Sequence, residues 1–174
     1  NRAFGGRLGR EELLALAGEI GSDVAFCLLG GTLLATGRGE RLSPLPPIPS
    51  CSFVIVKPGF SISTPELFQK IDRAPLRVHP DTKGLIGALE SGDLDGICRR
   101  MYNVFEDVDD RRMRTVRQLK GELLDGGALG AVMTGTGSAV FGVFRDREAA
   151  QRCCERLGRE YGFACVADPV GTLL

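Results

Sequence analysis

Tryptophan is missing from the 174 residues, histidine occurs once, at His79, and tyrosine twice, against nine phenylalanines. The 22 Lys and Arg are matched by 22 Asp and Glu. The chain therefore lacks both a net positive field and the interleaved aromatic and basic side chains by which proteins hold single-stranded nucleic acid. Nucleic acid and anionic membrane surfaces are excluded as expected partners, and any anionic ligand has to be held locally. No apolar run reaches the roughly 18 residues that a membrane-spanning helix begins to need. The six cysteines, Cys27, Cys51, Cys98, Cys153, Cys154 and Cys165, have no CxxC spacing. With a single histidine beside them they form no zinc motif, and no metal site is expected. They read as reduced core residues of a cytoplasmic protein, with a disulfide-stapled secreted domain as the alternative. There is neither an initiator methionine nor a signal peptide at Asn1. The expectation is a chain that begins mid-protein, Asn1-Arg2-Ala3-Phe4-Gly5-Gly6 being the last turn of a helix and its glycine stop.

What is present is enough apolar material, 43% of residues, to bury one good core. Leu13, Leu14, Leu16, Ala17 and Ile20 recur at helical spacing and Gly21 ends the run; Val24 to Leu29 follows as a second apolar stretch. Thr32 to Thr36 and Glu40 to Leu45 read as strands around Gly37-Arg38-Gly39. The prolines at 44, 46, 47 and 49 form a stiff linker, which sets a boundary between residues 1–49 and 50–174. Beyond it, Ser52 to Val56 is a continuous apolar strand, covered on both faces or central in a sheet. Ser63-Thr64-Pro65-Glu66 starts a helix to about Asp72. Further helices start at Asp81-Thr82, at Asp93 and near Asp109-Asp110. Leu94, Ile97, Met101 and Phe105 are expected on one helical face; Met113, Val116, Leu119 and Leu123 on another. Strand Leu129 to Met133, a glycine loop, strand Ala139 to Phe144, a helix through Ala150, Cys153, Leu157 and Tyr161, and strand Phe163 to Ala167 complete the order. The fold class is α+β, a ferredoxin-like split βαβ with a helical insertion.

Three places carry chemistry. The loop Thr134-Gly135-Thr136-Gly137-Ser138 lies between two apolar strands. Its glycines let peptide N–H groups come close to a phosphate, and its hydroxyls add donors; a tight turn needs the same residues. Asp23, in Gly21-Ser22-Asp23-Val24, stands at a helix entrance before an apolar run that would hold its carboxylate still. It suits a base accepting a hydroxyl proton during phosphoryl transfer, or a helix cap, or both. Thr64 and Phe68, four apart, share a helix face on which a hydroxyl and an aromatic ring could take a flat ligand, unless Phe68 belongs to the core. Lys57 could pair with phosphate or simply end its strand, and His79 reads as a loop residue. The run Glu106-Asp107-Val108-Asp109-Asp110 lacks the alternation and glycine turn of a calcium loop and reads as a solvated helix junction. Asn103, placed on the apolar helix before it, is a buried polar side chain without an assigned partner.

Taken in order, Gly21-Ser22-Asp23-Val24-Ala25-Phe26, Ala35-Thr36-Gly37-Arg38-Gly39-Glu40, Lys57-Pro58-Gly59 through Ser63-Thr64-Pro65, and Thr134-Gly135-Thr136-Gly137-Ser138 resemble the superfamily of galactokinase, homoserine kinase, mevalonate kinase and phosphomevalonate kinase. The likeness is greatest to its branch acting on a cytidylated methylerythritol, and it extends over essentially the whole chain. It implies ATP-dependent phosphorylation, with Mg²⁺, of the 2-hydroxyl of that cytidine diphosphate-linked polyol, in the non-mevalonate route to isoprenoid precursors. By the same resemblance Asp23 is the catalytic aspartate, Thr64 and Phe68 lie in the substrate segment, where the ring stacks on cytosine, and Gly135, Thr136, Gly137 and Ser138 support the phosphate loop. Residues 1–49 would be the remnant of an N-terminal, ribosomal-protein-like ATP-binding domain and 50–174 the C-terminal domain. The family's first strand with its lysine, its second substrate aromatic and its long glycine-serine loop have no counterpart in these residues. The chain alone is therefore expected to be inactive, with most phosphate and metal contacts coming from the part it lacks. The reading needs Asp23 and residues 135–138 to serve one cleft. A sister kinase for homoserine or a mevalonate-type alcohol, and a non-catalytic ferredoxin-like binding domain, are the alternatives.

Overall fold

The computed structural model describes residues 5–73, 78–108 and 110–173. The expected helix end at Asn1 to Phe4 lies outside the described residues, as does Asp109 in the expected helix start. The chain divides into two compact units, one running through Ile48 and taking up the chain again from Val170, the other Pro49–Pro169.

In the first unit, α1 (Arg10–Ile20) starts at Gly9, whose N–H donates to Glu12 Oε2 at 2.8 Å. Glu11 and Glu12 in the first turn complement the helix dipole, and the Gly21 N–H closes the helix on the Ala17 carbonyl. Helix α2 (Ser22–Leu29) packs against α1 and buries Ala25 and Leu29. Strands β1 (Leu33–Thr36) and β2 (Arg41–Pro44) form the expected antiparallel hairpin. The end of the chain returns to this unit through a bridge between Gly30 and Thr172 and a Leu173 N–H bond of 2.7 Å to the Leu29 carbonyl.

The second unit is built on an antiparallel sheet in the order β4-β5-β3-β6. Its strands are β3 (Ser52–Val56), β4 (Gly130–Met133), β5 (Val140–Phe144) and β6 (Ala164–Ala167). This is the split βαβ pattern, with β3 and β5 inside and β4 and β6 at the edges. Strand β3 alternates: Ser52, Val54 and Val56 are buried, while Phe53 and Ile55 on the other face are only half-buried. It is central in the sheet, not packed equally on both sides. Phe53 meets Phe141 edge to face at 5.8 Å on the less covered side.

The Val54/Val56 face carries the core. Helix α7 (Arg147–Tyr161) lies on β3 and β6, and α6 (Met113–Asp125) on β4 and β5. Their apolar stripes, Met113, Val116, Leu119 and Leu123, then Ala150, Cys153 and Leu157, fall at three- and four-residue spacing and are fully or nearly fully buried. The insertion between β3 and β4 also contains α3 (Thr64–Ile71), α4 (Thr82–Glu90) and α5 (Leu94–Arg100). Helices α4 and α5 start where expected, on Asp81 and Asp93, each accepting from a backbone N–H three residues on.

The helix expected to run through Met101 and Phe105 ends earlier. Met101 and Asn103 are extended, with ψ of 122° and 114°, and Val104–Asp107 is a single 3-10 turn capped by Asn103, whose Oδ1 accepts from the Phe105 N–H at 3.0 Å. Helical spacing of apolar residues continues past Arg100, but an asparagine side chain competing for backbone hydrogen bonds stops the helix. The cysteines are all free, and Cys51, Cys98, Cys153 and Cys154 are buried as expected of core residues, while Cys27 is exposed. Among the described residues no helix is long and apolar enough to cross a membrane.

Candidate functional site

The turn joining β4 to β5 is closed by two backbone bonds, Thr134 N–H to the Ala139 carbonyl and Gly137 N–H to the Thr134 carbonyl, both 2.9 Å. Gly135 and Gly137 have φ of 53° and 83°, the left-handed region in which a side chain is strained. The two glycines differ in surroundings. A Cβ on Gly137 would come within 2.6 Å of Met133 Sδ and 3.0 Å of Ile62 Cδ1, whereas one on Gly135 would meet nothing within 4 Å. Gly137 is thus required for packing, and Gly135 leaves open space beside exposed backbone.

The loop's three hydroxyls, alike in sequence, have different surroundings. Ser138 is 1% exposed and donates to the Phe60 carbonyl at 2.5 Å, so it fastens the loop to the β3–α3 segment. Thr134 is exposed, and Thr136 shares a 2.8 Å hydrogen bond with Thr64, oxygen to oxygen, across 72 positions of sequence.

Thr64 is the first residue of α3. The preceding Ser63 is the N-cap by position, Pro65 fits the first turn and Glu66 faces the positive helix end. Leu67 and Ile71 form the buried stripe, which turns the Thr64/Phe68 face outward. The alternative of Phe68 as a core residue therefore fails: it is 49% exposed, its ring meeting that of Phe105 at 5.0 Å and 76°. Such a ring can take a flat aromatic ligand on its open surface. The structure thus sets the Thr64/Phe68 face beside the glycine loop in the second unit, joined at Thr136, with Ser138 buried beneath the loop.

Two side chains of this patch were not identified as site residues from sequence. Asn103 Nδ2 donates to the Met133 carbonyl at 2.7 Å and to the Gly135 carbonyl at 2.8 Å. Glu106, with 11% of its side chain exposed, accepts the Met133 N–H at 2.8 Å and pairs with Lys120. Asn103 was noticeable as a polar residue amid apolar ones; its partners, 30 and 32 positions away, gave no local signal.

The acidic run is only partly the solvated junction expected: Asp107 is exposed and Asp109 lies outside the described residues, but Glu106 and Asp110 are withdrawn from solvent. Asp110, its carboxylate 2% exposed, receives Lys70 Nζ at 2.7 Å, Arg112 Nε and Nη2 at 2.8 and 2.6 Å, and the Arg112 N–H at 2.8 Å. Glu66 closes the network with Arg112 at 2.9 Å and Lys70 at 3.0 Å. The Arg112 guanidinium, then Lys70, holds the Asp110 carboxyl well below the usual carboxylate range, against the opposing effect of burial. Lys70 and then Arg112 lower Glu66 in the same direction. This network anchors the outer side of α3 to the start of α6. Phe60 and Ser61, with Arg111, Arg112, Arg114 and Thr115, line a neighbouring open basin of about 690 Å³.

Of the other candidates, Lys57 is exposed and lies 3.5 Å from the Phe60 carbonyl, and His79 is an exposed loop residue. Asp23 belongs to the first unit. It is exposed and stands inside the first turn of α2, where Gly21 is the N-cap and no side chain caps the helix. The cap role for Asp23 is therefore overturned: glycine occupies that position. Among the described residues no three His, Cys, Asp or Glu side chains gather as a metal site.

Residues 85–162 match the family model described as GHMP kinases C terminal. A 4-diphosphocytidyl-2-C-methyl-D-erythritol kinase of Listeria monocytogenes is 44% identical over 142 residues, covering 82% of this chain and 48% of the relative. One of Syntrophomonas wolfei is 41% identical over 161 residues, covering 92% and 56%. A crystal structure of 4-(cytidine 5'-diphospho)-2C-methyl-D-erythritol kinase superposes with a TM-score of 0.79 at 30% identity, covering 98% of this chain and 60% of that one. The chain thus spans about half the length of the curated relatives it matches.

Proposed function

Because the chain belongs to the GHMP kinases, whose C-terminal domain it carries, we propose that it works in ATP-dependent phosphorylation of the 2-hydroxyl of 4-diphosphocytidyl-2-C-methyl-D-erythritol, in the non-mevalonate route to isoprenoid precursors. The observation that carries the reading is the Thr64–Thr136 hydrogen bond, which joins the aromatic face of α3 to the glycine loop. A substrate with a base at one end and a phosphate-linked polyol beyond it needs those two surfaces side by side. The names and identities of the relatives support the substrate class.

In this reading Phe68 stacks on cytosine, and Thr64 and Thr136 orient the adjoining polar part. Gly135 has the open space that a phosphate oxygen needs to reach backbone, so the loop fits a nucleotide's phosphates. Gly137 and Ser138 hold the loop's shape. ATP supplies the phosphoryl group when bound, with Mg²⁺ on its phosphates. Asp23 orients the 2-hydroxyl and accepts its proton as the oxygen attacks. Catalysis of this kind is positioning and electrostatics.

Titration with cytidine 5'-diphosphate tests the substrate surface. Binding to the chain should weaken at least about tenfold in Phe68→Ala, the loss expected when a base loses its aromatic partner; equal affinity would reject the stacking role. In an assay with ATP, Mg²⁺ and the cytidylated polyol, run on these residues joined to the family's glycine-serine phosphate loop, Asp23→Asn should lower turnover by at least about tenfold, and an unchanged rate would remove Asp23 from the chemistry.

A further inference from the structure

One side chain links the two halves of the patch, the glycine loop directly and the Phe68 ring through Phe105. Asn103 donates through Nδ2 to the Met133 and Gly135 carbonyls, at the entrance to the glycine loop, and accepts through Oδ1 from the Phe105 N–H. Phe105 is the residue whose ring braces Phe68. Three residues after Asn103, Glu106 takes the Met133 N–H. The short segment 103–106 thus holds the last residue of β4 by both its carbonyl and its N–H, and reaches the loop and the aromatic ring at once.

An amide suits this position because it offers two donors on one nitrogen and an acceptor on the oxygen. Asp would place an oxygen against two carbonyl oxygens, and Leu would leave three backbone groups without their partner. The extended backbone at Met101 and Asn103, which follows the end of α5 at Arg100, is what turns the side chain toward the loop.

We infer that Asn103 is a positioning residue of the site: its amide sets the glycine loop against the Thr64/Phe68 face, so that a nucleoside diphosphate-linked alcohol has its base and its phosphate end registered by one group. The kinetic consequence rests on the kinase reading above; the structural one does not.

Asn103→Asp is the decisive variant, since it keeps an acceptor for Phe105 and removes both donors to the loop, and Asn103→Ala removes all three bonds. Amide hydrogen exchange in the chain reports on each part separately. In Asn103→Asp, the Thr134 and Gly137 amides should exchange at least tenfold faster while the Phe105 amide and those of β3 keep their protection. In Asn103→Ala, the Phe105 amide should be lost as well. In turnover with ATP and the cytidylated polyol, Asn103→Asp should lower kcat at least tenfold with KM for the polyol within threefold. Unchanged loop exchange in Asn103→Asp, or a rise spread equally over the sheet, would overturn the assignment. Should neither protein turn over, as expected of these residues without the family's glycine-serine loop, the exchange pattern alone decides the role of Asn103. Should turnover occur with kcat unaffected while the loop loosens, the positioning role is refuted and only a structural tie remains.

Discussion

Alanine at position 135 and alanine at position 137 add the same methyl group to the same loop two residues apart, and should have unequal consequences. Both glycines have positive φ, 53° and 83°, so each substitution carries about 1 to 2 kcal/mol of backbone strain. At 137 the new carbon also lies 2.6 Å from Met133 Sδ and 3.0 Å from Ile62 Cδ1. Met133 is 1% and Ile62 8% exposed, so neither can swing away into solvent. Forcing a methyl into such a place costs roughly a further 1 to 3 kcal/mol. Gly135→Ala has no such contact. Urea denaturation of both variants, followed by fluorescence or circular dichroism, should therefore rank Gly137→Ala as less stable by about 1 to 3 kcal/mol, the packing cost alone. Nucleotide binding should rank them the other way, because the Gly135 methyl fills the open space offered to a phosphate. Equal destabilisation by the two variants, or a greater loss in Gly135→Ala, would refute the division between a packing glycine and a ligand-facing one.

Replacing Asp110 by Asn removes the carboxylate from Lys70 and Arg112, which at 38% and 23% exposure can rehydrate in part; the expected loss is about 2 to 3 kcal/mol at pH 7. The Asp110 pKa is lowered in the folded protein, chiefly by Arg112, so its stabilisation is present above the ordinary aspartate range near about 4 and fades as pH falls below it; thermal melts of the pair should converge on acidification, and a gap independent of pH would contradict this. A double-mutant cycle of Thr64→Val and Thr136→Val should give a coupling of about 0.5 to 1.5 kcal/mol for their hydrogen bond, and no coupling would mean the two surfaces are not tied. Both tyrosines are pushed up to about 12, Tyr102 mainly by its bond to Asp107 and Tyr161 mainly by burial and then Glu122. Alkaline ultraviolet titration should show no tyrosinate near pH 10 while the fold holds, whereas a normal titration of either phenol would exclude these environments.

The fold was legible wherever local chemistry and period agree. The stripe of Met113, Val116, Leu119 and Leu123, the caps at Asp81 and Asp93, and the apolar strands around the glycines give the split βαβ order without reference to distant partners. The glycine loop and the Thr64/Phe68 pair were legible for the same reason, as short motifs at fixed spacing. What escaped was set by distant contacts. Apolar spacing carries the helix pattern through Phe105, yet Asn103 leaves it to bond carbonyls near residue 134. Asp110 sits in a run that resembles a solvated surface until Lys70, forty positions earlier, is brought against it. The position of Phe68 relative to the core followed from which stripe of α3, Leu67 and Ile71 or Thr64 and Phe68, faced the sheet; both satisfy helical spacing.

The central claim is that the α3 aromatic face and the β4–β5 turn form one ligand surface. Backbone nuclear magnetic resonance during titration with cytidine 5'-diphosphate tests it most directly. The account predicts that the amides of Thr64 and Phe68 and those of Gly135 to Ser138 shift together with a single dissociation constant; shifts confined to one of the two segments, or to neither, would contradict it.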